Sequence, residues 1–255
     1  MQMPAAAPPT TTTTVDPAET ARFGAIAAEV WDPHGKFRPL HQLNPARLLF
    51  LRDRLTEHFG RGKAATRPLD GLSIVDVGCG GGILTEPLAR LGATVVGIDA
   101  AAENVAVAAA HAAEAGLDID YRCTTAEALA ATGAQFDAVI AMEIVEHVSD
   151  VGLFLGATAA LVRPGGAFAI ATLNRTVKSL LLAKIGAEYI LRWLPAGTHD
   201  WRRFLKPSEV AVHLRRSGLT VRDATGVVYS PLTDEWLLSK DLDVNYMMFA
   251  AKPPV

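Results

Sequence analysis

The stretch Val75-Asp76-Val77-Gly78-Cys79-Gly80-Gly81-Gly82-Ile83-Leu84 decides the fold of this 255-residue chain. A buried-looking apolar run ends in four glycines, and a helical pattern follows. Such a loop lets the backbone turn sharply and approach a ligand without side chains in the way. The next apolar run ends in Asp99, 21 residues beyond Gly78, close to the spacing of about 20 at which a carboxylate binds ribose hydroxyls. The stretch therefore predicts a strand–loop–helix unit around a nucleotide-like ligand. A tight turn without any ligand is the alternative.

Further apolar runs continue the same alternation along the chain. Strand-like runs and helical patterns succeed one another, which is typical of a parallel sheet with helices on both faces. The expected strands are 72–77, 94–98, 119–123, 136–142, 167–172, 219–228 and 244–251, and the expected helices are 84–91, 101–115, 151–162 and 207–217. We therefore predict an α/β fold.

The N-terminal quarter has a different pattern. Residues 1–15 are rich in Pro, Ala and Thr, which predicts a disordered tail. Asp16-Pro17 and Asn44-Pro45 each place a capping residue before a proline, which predicts helices over 18–30 and from about 44 to 59. We divide the chain into the tail, an N-terminal helical lid and linker (16–68) and a main domain (69–253) interrupted at 174–206.

Composition excludes several classes of protein. Half of the residues are apolar and the net charge is −3, which is unlike a disordered chain and disfavours a general nucleic-acid binder. Two cysteines cannot build a disulfide framework. No run approaches the roughly 20 apolar residues of a membrane-spanning helix, and residues 1–14 lack the basic start of a leader. We expect a cytoplasmic protein.

The sequence of the glycine loop favours one class of cofactor over another. A dinucleotide-binding Gly-x-Gly-x-x-Gly would need glycine at Ile83, and Asp76 before the loop suits a positively charged ligand. The loop and Gly97-Ile98-Asp99 resemble the class I S-adenosylmethionine-dependent methyltransferases. Met142, at the end of a strand, would pack on this cofactor, and Thr125-Ala126 would contact its adenine. Cys79 is interpreted as a small residue in a crowded loop rather than as a nucleophile.

A second motif, Met142-Glu143-Ile144-Val145-Glu146-His147, follows the fourth expected strand. If a helix starts here, Glu143, Glu146 and His147 lie on one face. Two carboxylates and an imidazole at the ligand-binding edge of a sheet can bind a divalent cation or supply a general base. A solvated helix start is the alternative.

Several longer strings make the resemblance specific. They are Trp31-Asp-Pro-His-Gly-Lys-Phe-Arg-Pro-Leu-His41, Asn44-Pro-Ala-Arg47, Thr172-Leu-Asn-Arg175, Gly186-Ala-Glu-Tyr-Ile-Leu-Arg192, Gly197-Thr-His-Asp200 and Asp243-Val-Asn-Tyr-Met247. With the glycine loop and Glu143 to His147, they resemble the ubiquinone-biosynthesis O-methyltransferase family over nearly everything from Phe23 onward. That family methylates polyprenyl-catechol and polyprenyl-dihydroxybenzoquinol intermediates.

The resemblance implies specific residue roles. It places S-adenosylmethionine on Arg47, Gly78, Asp99 and Met142. It also implies a Rossmann-like fold with a mostly parallel seven-stranded sheet whose last strand is antiparallel, and both O-methylation steps. His147 and Glu143 would be catalytic residues, and Glu143, Glu146 and His147 the ligands of a divalent metal, magnesium by resemblance. His147 as a general base without metal stays open.

The interruption at 177–194 carries only four charged residues, which fall on one side of a helical wheel. Three of them are cationic, and Trp and Tyr lie outside their arc, as in a helix resting on an anionic membrane surface. A core or dimer helix is the alternative. Because the family's substrates are polyprenylated, we expect peripheral binding to the inner face of the cell membrane. Other ubiquinone-biosynthesis enzymes are further candidate partners, and nucleic acid is not.

Overall fold

A computed structural model describes residues 13–181 and 201–254 of the chain. These residues form one eight-stranded sheet with the spatial order β3-β2-β1-β4-β5-β8-β6-β7. The first five strands are parallel to one another, and β8 pairs antiparallel with both β5 and β6. The strands are β1 (Ser73–Val77), β2 (Thr94–Asp99), β3 (Asp120–Cys123), β4 (Phe136–Met142), β5 (Val162–Leu173), β6 (Thr220–Ser230), β7 (Glu235–Ser239) and β8 (Asn245–Ala251).

Helices cover both faces of the sheet in the described part of the chain. They are α1 (Pro17–Gly24), α2 (Arg38–His58), α3 (Thr85–Arg90), α4 (Ala102–Glu114), α5 (Ala126–Ala131), α6 (Val151–Ala160), α7 (Val177–Ser179) and α8 (Pro207–Arg216). Two apolar clusters fill the spaces between sheet and helices, one on each face. Every residue of β4 is buried, as expected of a strand covered on both sides. The predicted α/β architecture is therefore present.

The central strands end at one edge and so determine where a ligand can bind. The carboxyl ends of β1, β2 and β4 are adjacent because β1 pairs in parallel with both β2 and β4. Chain order reverses direction across β1, since β2 and β3 lie on one side of it and β4 and β5 on the other. This arrangement opens a crevice outside the strand ends, where ligands of such sheets bind.

Two elements differ from the sequence-based expectations. The sheet has an eighth strand, β7, which among the described strands pairs only with β6 and so lies at the edge. Its residues are only half-buried or exposed, and its apolar run, Trp236-Leu237-Leu238, is only three residues long. The second helix begins at Arg38 rather than near Asn44, with Pro39 in its first turn, and Pro45 lies inside it. Asn44 is therefore not a cap, and its side chain has another contact, described below.

The N-terminal arm packs against the main domain from an earlier residue than expected. Thr14 is buried, and its carbonyl oxygen accepts hydrogen bonds from the backbone N–H (2.9 Å) and the hydroxyl (3.1 Å) of Ser149. The expected tail boundary near Val15 thus falls too late. Helix α1 ends at Gly24 and a 3₁₀ turn follows at Ala27–Glu29, where one longer helix was expected. Most of the predicted amphipathic segment 177–194 lies outside the described residues.

Candidate active site

A cavity of about 240 Å³ lies at the carboxyl edge of the central strands. The loops after β1, β2, β3 and β4 form its floor and sides, and the N-terminal arm, α1 and part of α2 cover it. The cavity lining includes seven residues singled out in the sequence: Arg47, Asp76, Gly78, Asp99, Met142, Glu143 and His147. Residues from distant parts of the sequence thus converge on one space.

The glycine loop is shaped by Gly78 and by Asp99. Gly78 has φ +72°, in the left-handed region, and any Cβ there would collide with the side chain of Ile144. Only glycine fits this position without strain. Across the cavity, Asp99 Oδ2 accepts the N–H of Gly80 (3.0 Å), and Oδ1 accepts the N–H of Ala101 (2.8 Å). The carboxylate predicted to bind ribose therefore also fixes the loop.

Asp76 is a buried acid at the floor of the cavity. Its Oδ2 accepts a hydrogen bond from the Thr85 hydroxyl (2.7 Å). Burial raises the pKa of Asp76 to about 6, although the Thr85 hydrogen bond and the Arg47 guanidinium oppose that rise. A buried carboxylate with so few partners is stabilised by a cationic group placed beside it. This fits the expectation that the ligand is positively charged here.

Arg47 and Glu143 form an ion pair inside the cavity. Arg47 is 5% exposed, and its Nε has no hydrogen-bond partner among the described residues. Burial raises the pKa of Glu143; Arg47 opposes that rise, and the neighbouring Glu146 carboxylate adds to it. Glu143 also has φ +48°, a conformation that non-glycine residues rarely adopt and that is concentrated at functional sites. The pair joins two residues that were expected to have separate roles.

The helix expected over the second motif does not form. A 3₁₀ turn covers only Val145–His147, and Glu143 precedes it in the left-handed region. Glu143 and His147 line the cavity, but Glu146 is buried beside it, where Oε2 accepts a hydrogen bond from Thr172 (2.8 Å). Within 13–181 and 201–254, no three His, Cys, Asp or Glu side chains are grouped as metal ligands. The assumption of one helical face was therefore wrong.

The structure adds two residues that the sequence patterns did not indicate. Glu19 Oε2 contacts His147 Nδ1 at 2.8 Å, and the Phe23 ring packs edge-on against the His147 imidazole with centroids 5.1 Å apart. Both come from α1, more than 120 residues away in the chain. No local sequence pattern could connect them with the second motif.

The remaining sequence-based expectations concern two loop positions. Cys79 is buried, which raises its pKa well above the usual range; the thiol is therefore protonated, as expected of a small packing residue. Thr125 and Ala126 line the cavity, and Thr125 caps α5 by accepting the N–H of Ala128 (3.2 Å). Met142 is 8% exposed, and it also lines the cavity.

Comparisons with known proteins agree with this geometry. A family model described as "Methyltransferase domain" matches residues 75–170. The fold is similar to magnesium protoporphyrin IX methyltransferase from Synechocystis PCC 6803 with bound SAH, with a TM-score of 0.63, 18% identity, and coverage of 92% of this chain and 99% of that one. At that identity, the likeness concerns the fold. The fold and the family model together define a class I, Rossmann-like methyltransferase.

Curated relatives identify the family. The chain is 56% identical to the ubiquinone biosynthesis O-methyltransferase of Chelativorans sp. (strain BNC1), covering 94% of this chain and 95% of that protein. It is also 56% identical to the protein of the same name from Parvibaculum lavamentivorans, with coverage of 93% and 94%. The chain belongs to the ubiquinone biosynthesis O-methyltransferase family. The predicted family, fold class and O-methyltransferase activity are confirmed.

Proposed function

We propose that this chain methylates phenolic hydroxyls of polyprenyl-catechol and polyprenyl-dihydroxybenzoquinol intermediates, and that it carries out both O-methylation steps of ubiquinone biosynthesis. The observation that carries the proposal is that a single cavity is lined both by the glycine loop with Asp99 and by Glu143 with His147. A methyl donor on the first set and an acceptor on the second would meet within one cavity. The names of the relatives indicate a substrate from ubiquinone biosynthesis, and the family resemblance gives polyprenyl phenols as its chemical class.

The cofactor roles follow from charge and shape. Gly78 lets the backbone approach the ligand, Asp99 would accept ribose hydroxyls, and Met142 would pack on the adenosyl or methylthio part. Arg47 would bind the carboxylate of the amino-acid part, as a guanidinium binds carboxylates in two parallel hydrogen bonds. Its buried Nε, which has no hydrogen-bond partner within 13–181 and 201–254, supports this role. The predicted sites at Arg47, Gly78, Asp99 and Met142 are retained as part of this proposal.

Bound S-adenosylmethionine supplies an electrophilic methyl group, which the acceptor oxygen attacks in line as the carbon–sulfur bond breaks. The protein must align the oxygen and take up its proton, because a phenol with a pKa near 10 is mostly protonated at neutral pH. Glu19 would hold the Nδ1 side of His147, so that Nε2 accepts the phenolic proton. Glu143 would orient the neighbouring hydroxyl.

A divalent cation is a further part of the proposal. The family resemblance gives Glu143, Glu146 and His147 as its ligands, and a bound cation would lower the pKa of a phenol. In the described residues these three side chains are not grouped as metal ligands, so a cation would need Glu146 to turn toward the cavity. Two observations among the described residues support it: Glu146 Oε1 is buried without a hydrogen-bond partner there, and Glu143 Oε2 makes only its ion pair with Arg47. Carboxylate oxygens suit magnesium, whereas the imidazole nitrogen suits manganese, zinc or iron better.

Mass spectrometry tests the proposed activity and the need for metal together. A prenylated catechol is incubated with protein and S-adenosylmethionine before and after exhaustive chelation, and then with magnesium, manganese or zinc restored. We expect a product one methyl group heavier. Full activity after chelation would leave His147 as a base without metal, and absence of product under every condition would contradict the proposed function. Repeating the assay with a dihydroxybenzoquinol tests whether both steps belong to this chain.

Membrane binding is proposed through the segment 177–194. Of its described residues, Val177 and Leu181 are 71% and 53% exposed, which supports an apolar contact. Lys178, expected on the cationic side, is paired with Asp241 and lies 3.5 Å from Asp243, so its charge is largely compensated. Among the described residues, no helix is long and apolar enough to cross a membrane. The proposal is attachment to the inner face of the cell membrane, where other enzymes of the same biosynthesis would be potential partners.

A further inference from the structure

The glycine loop depends on support from outside itself. Three of its glycines have positive φ, and no side chain larger than that of cysteine lies between Gly78 and Gly82. Glycine backbone loses more conformational freedom on ordering than any other residue. A loop that must present its backbone to a ligand therefore binds more weakly unless neighbouring groups hold it in the bound shape beforehand.

Trp31 contacts this loop from the N-terminal region. Its indole Nε1–H donates a hydrogen bond to the carbonyl oxygen of Gly81 (2.9 Å). The neighbouring Val30 side chain occupies the space that a Cβ on Gly81 would need. The Trp31 segment is therefore matched to the loop in both hydrogen bonding and shape.

The other face of Trp31 is fixed to the main domain. Its ring stacks on the imidazole of His111 in α4, with centroids 3.5 Å apart and planes 4° from parallel. His111 Nδ1 in turn contacts Oε1 of the buried Glu86 in α3 (2.6 Å). Trp31 is thus held by α4, and α3 supports this contact through Glu86 and His111. Trp31 in turn holds the loop between β1 and α3.

A second side chain makes the same type of contact further along the loop. Asn44, buried in α2, donates from Nδ2 to the carbonyl oxygen of Ile83 (2.9 Å). The carbonyl groups of Gly81 and Ile83 are therefore both held by side chains that precede the main domain in sequence. Neither Trp31 nor Asn44 was a candidate site residue on sequence grounds.

We infer that Trp31 and Asn44 are positioning residues that hold the glycine loop in its cofactor-binding shape. The inference rests on the proposed use of that loop to bind S-adenosylmethionine. It assigns to the N-terminal region a role in cofactor affinity in addition to covering the cavity. Loss of either side-chain hydrogen bond weakens cofactor binding, whereas the methyl-transfer step changes little once the cofactor is bound.

The test compares two matched substitutions, Trp31→Phe and Trp236→Phe. The first removes the Gly81 hydrogen bond and keeps an aromatic ring on His111. The second is a control, because Trp236 Nε1 has no hydrogen-bond partner among the described residues. For Trp31→Phe we expect the Kd for S-adenosylhomocysteine and the KM for S-adenosylmethionine to rise roughly five- to tenfold, as for one lost neutral hydrogen bond. The kcat should stay within about twofold, and Trp236→Phe should leave all three values unchanged.

Asn44→Ala provides a second, independent measurement if Trp31→Phe fails to fold. We expect the same rise in Kd with little change in kcat, and in both variants faster amide hydrogen exchange at 78–84 in the unliganded protein. Equal Kd values for wild type and the folded variants would overturn the inference, as would a fall in kcat at unchanged KM. If the wild-type protein binds no S-adenosylhomocysteine, the proposed function itself fails, which is a separate result.

Discussion

Arg47 lines the cavity, where it is paired with Glu143. Since the proposed cofactor carries its own carboxylate, two acids would compete for one guanidinium. Binding of the cofactor would thus release Glu143 toward the acceptor side of the cavity. A residue that was expected to bind only the cofactor is in this way paired with a residue of the proposed catalytic motif.

The first prediction concerns Arg47→Met. We expect the Kd for S-adenosylhomocysteine to rise about 10- to 100-fold, since a buried charge-assisted pair is lost. Isothermal calorimetry measures it. Arg54→Met is the matched control, because Arg54 lies on the same helix and pairs with Asp223 outside the cavity. The double variant Arg47→Met/Glu143→Gln removes the unpaired acid, so an unchanged Kd in that folded protein would contradict the role of Arg47.

The second prediction concerns Asp76 and pH. Its pKa of about 6 means that the carboxylate is ionised above that pH and protonated below it. A cationic ligand favours the ionised form and lowers the pKa in the complex. The affinity for S-adenosylmethionine should therefore change little from about pH 7 down to 6. Below that pH it should fall by up to about tenfold per pH unit. Asp76→Asn should bind more weakly at pH 7 and lose this dependence. A wild-type profile that is flat down to pH 5 would contradict the prediction.

At the scale of elements, α1 connects the cover of the cavity to the motif Glu143 to His147. Its residue Asp16, the N-cap, pairs with Arg203 (3.2 Å), and Glu19 contacts His147. The helix is therefore anchored both to the segment that follows the undescribed residues and to the motif after β4. A cover held in this way can exclude water and orient a catalytic side chain together.

The third prediction concerns Glu19→Gln. We expect kcat to fall about 10- to 100-fold, because an amide holds the imidazole less well than a carboxylate does. The Kd for S-adenosylhomocysteine should stay within about twofold. Glu29→Gln is the control, since Glu29 pairs only with Lys36 on the surface in the described structure. Single-turnover measurements separate the chemical step from binding, and an unchanged single-turnover rate would exclude this role for Glu19.

Sequence patterns predicted correctly the strands in which every consecutive residue is buried. Strand β4 was predicted with its observed bounds because all seven of its residues are buried. Strand β7 was not predicted, since an edge strand with half-buried residues lacks that signal. The start of α2 was misplaced because Pro45 was taken for a first-turn proline, a position that Pro39 occupies. Local patterns thus follow burial and capping, and they fail where either is weak.

The site was predictable to the extent that it follows the strand ends. Gly78, Asp99 and Met142 lie directly after or at the end of parallel strands, so their convergence follows from sheet topology. The contact of Glu19 with His147 depends on how α1 packs over the cavity, which no local pattern encodes. The left-handed conformation of Glu143 was also unpredictable, because non-glycine residues seldom adopt it and no local pattern marks this position.

At the scale of the whole molecule, the proposed membrane contact lies at α7, a few residues before the undescribed segment 182–200. The exposed Val177 and Leu181 are close in sequence and both apolar. A polyprenyl substrate resides in the bilayer, so an enzyme resting on that surface would meet it without extracting it fully into water. The position of α7 directly after β5 places this contact next to the strand ends that line the cavity.

The fourth prediction is a liposome flotation experiment with Val177→Glu/Leu181→Glu. We expect binding to anionic vesicles to fall at least about threefold, since burial of apolar surface and membrane attraction are both reduced. Leu232→Glu is the matched control, because Leu232 is 96% exposed and lies outside 177–194, in the β6–β7 turn. Equal flotation of the double variant and the wild-type protein would show that these two residues make no contact with the membrane.

The position of β8 has a consequence for biosynthesis. This strand is the last along the chain among those described, yet it lies in the interior of the sheet between β5 and β6. While a ribosome is still translating 174–244, β5 has an apolar edge without a neighbour, and β6 with β7 is a hairpin that cannot dock. The nascent protein would therefore expose an unpaired, aggregation-prone strand edge for several seconds, at ribosomal rates of about 5–20 residues per second. Chaperone capture at that stage would protect newly made chains from aggregation.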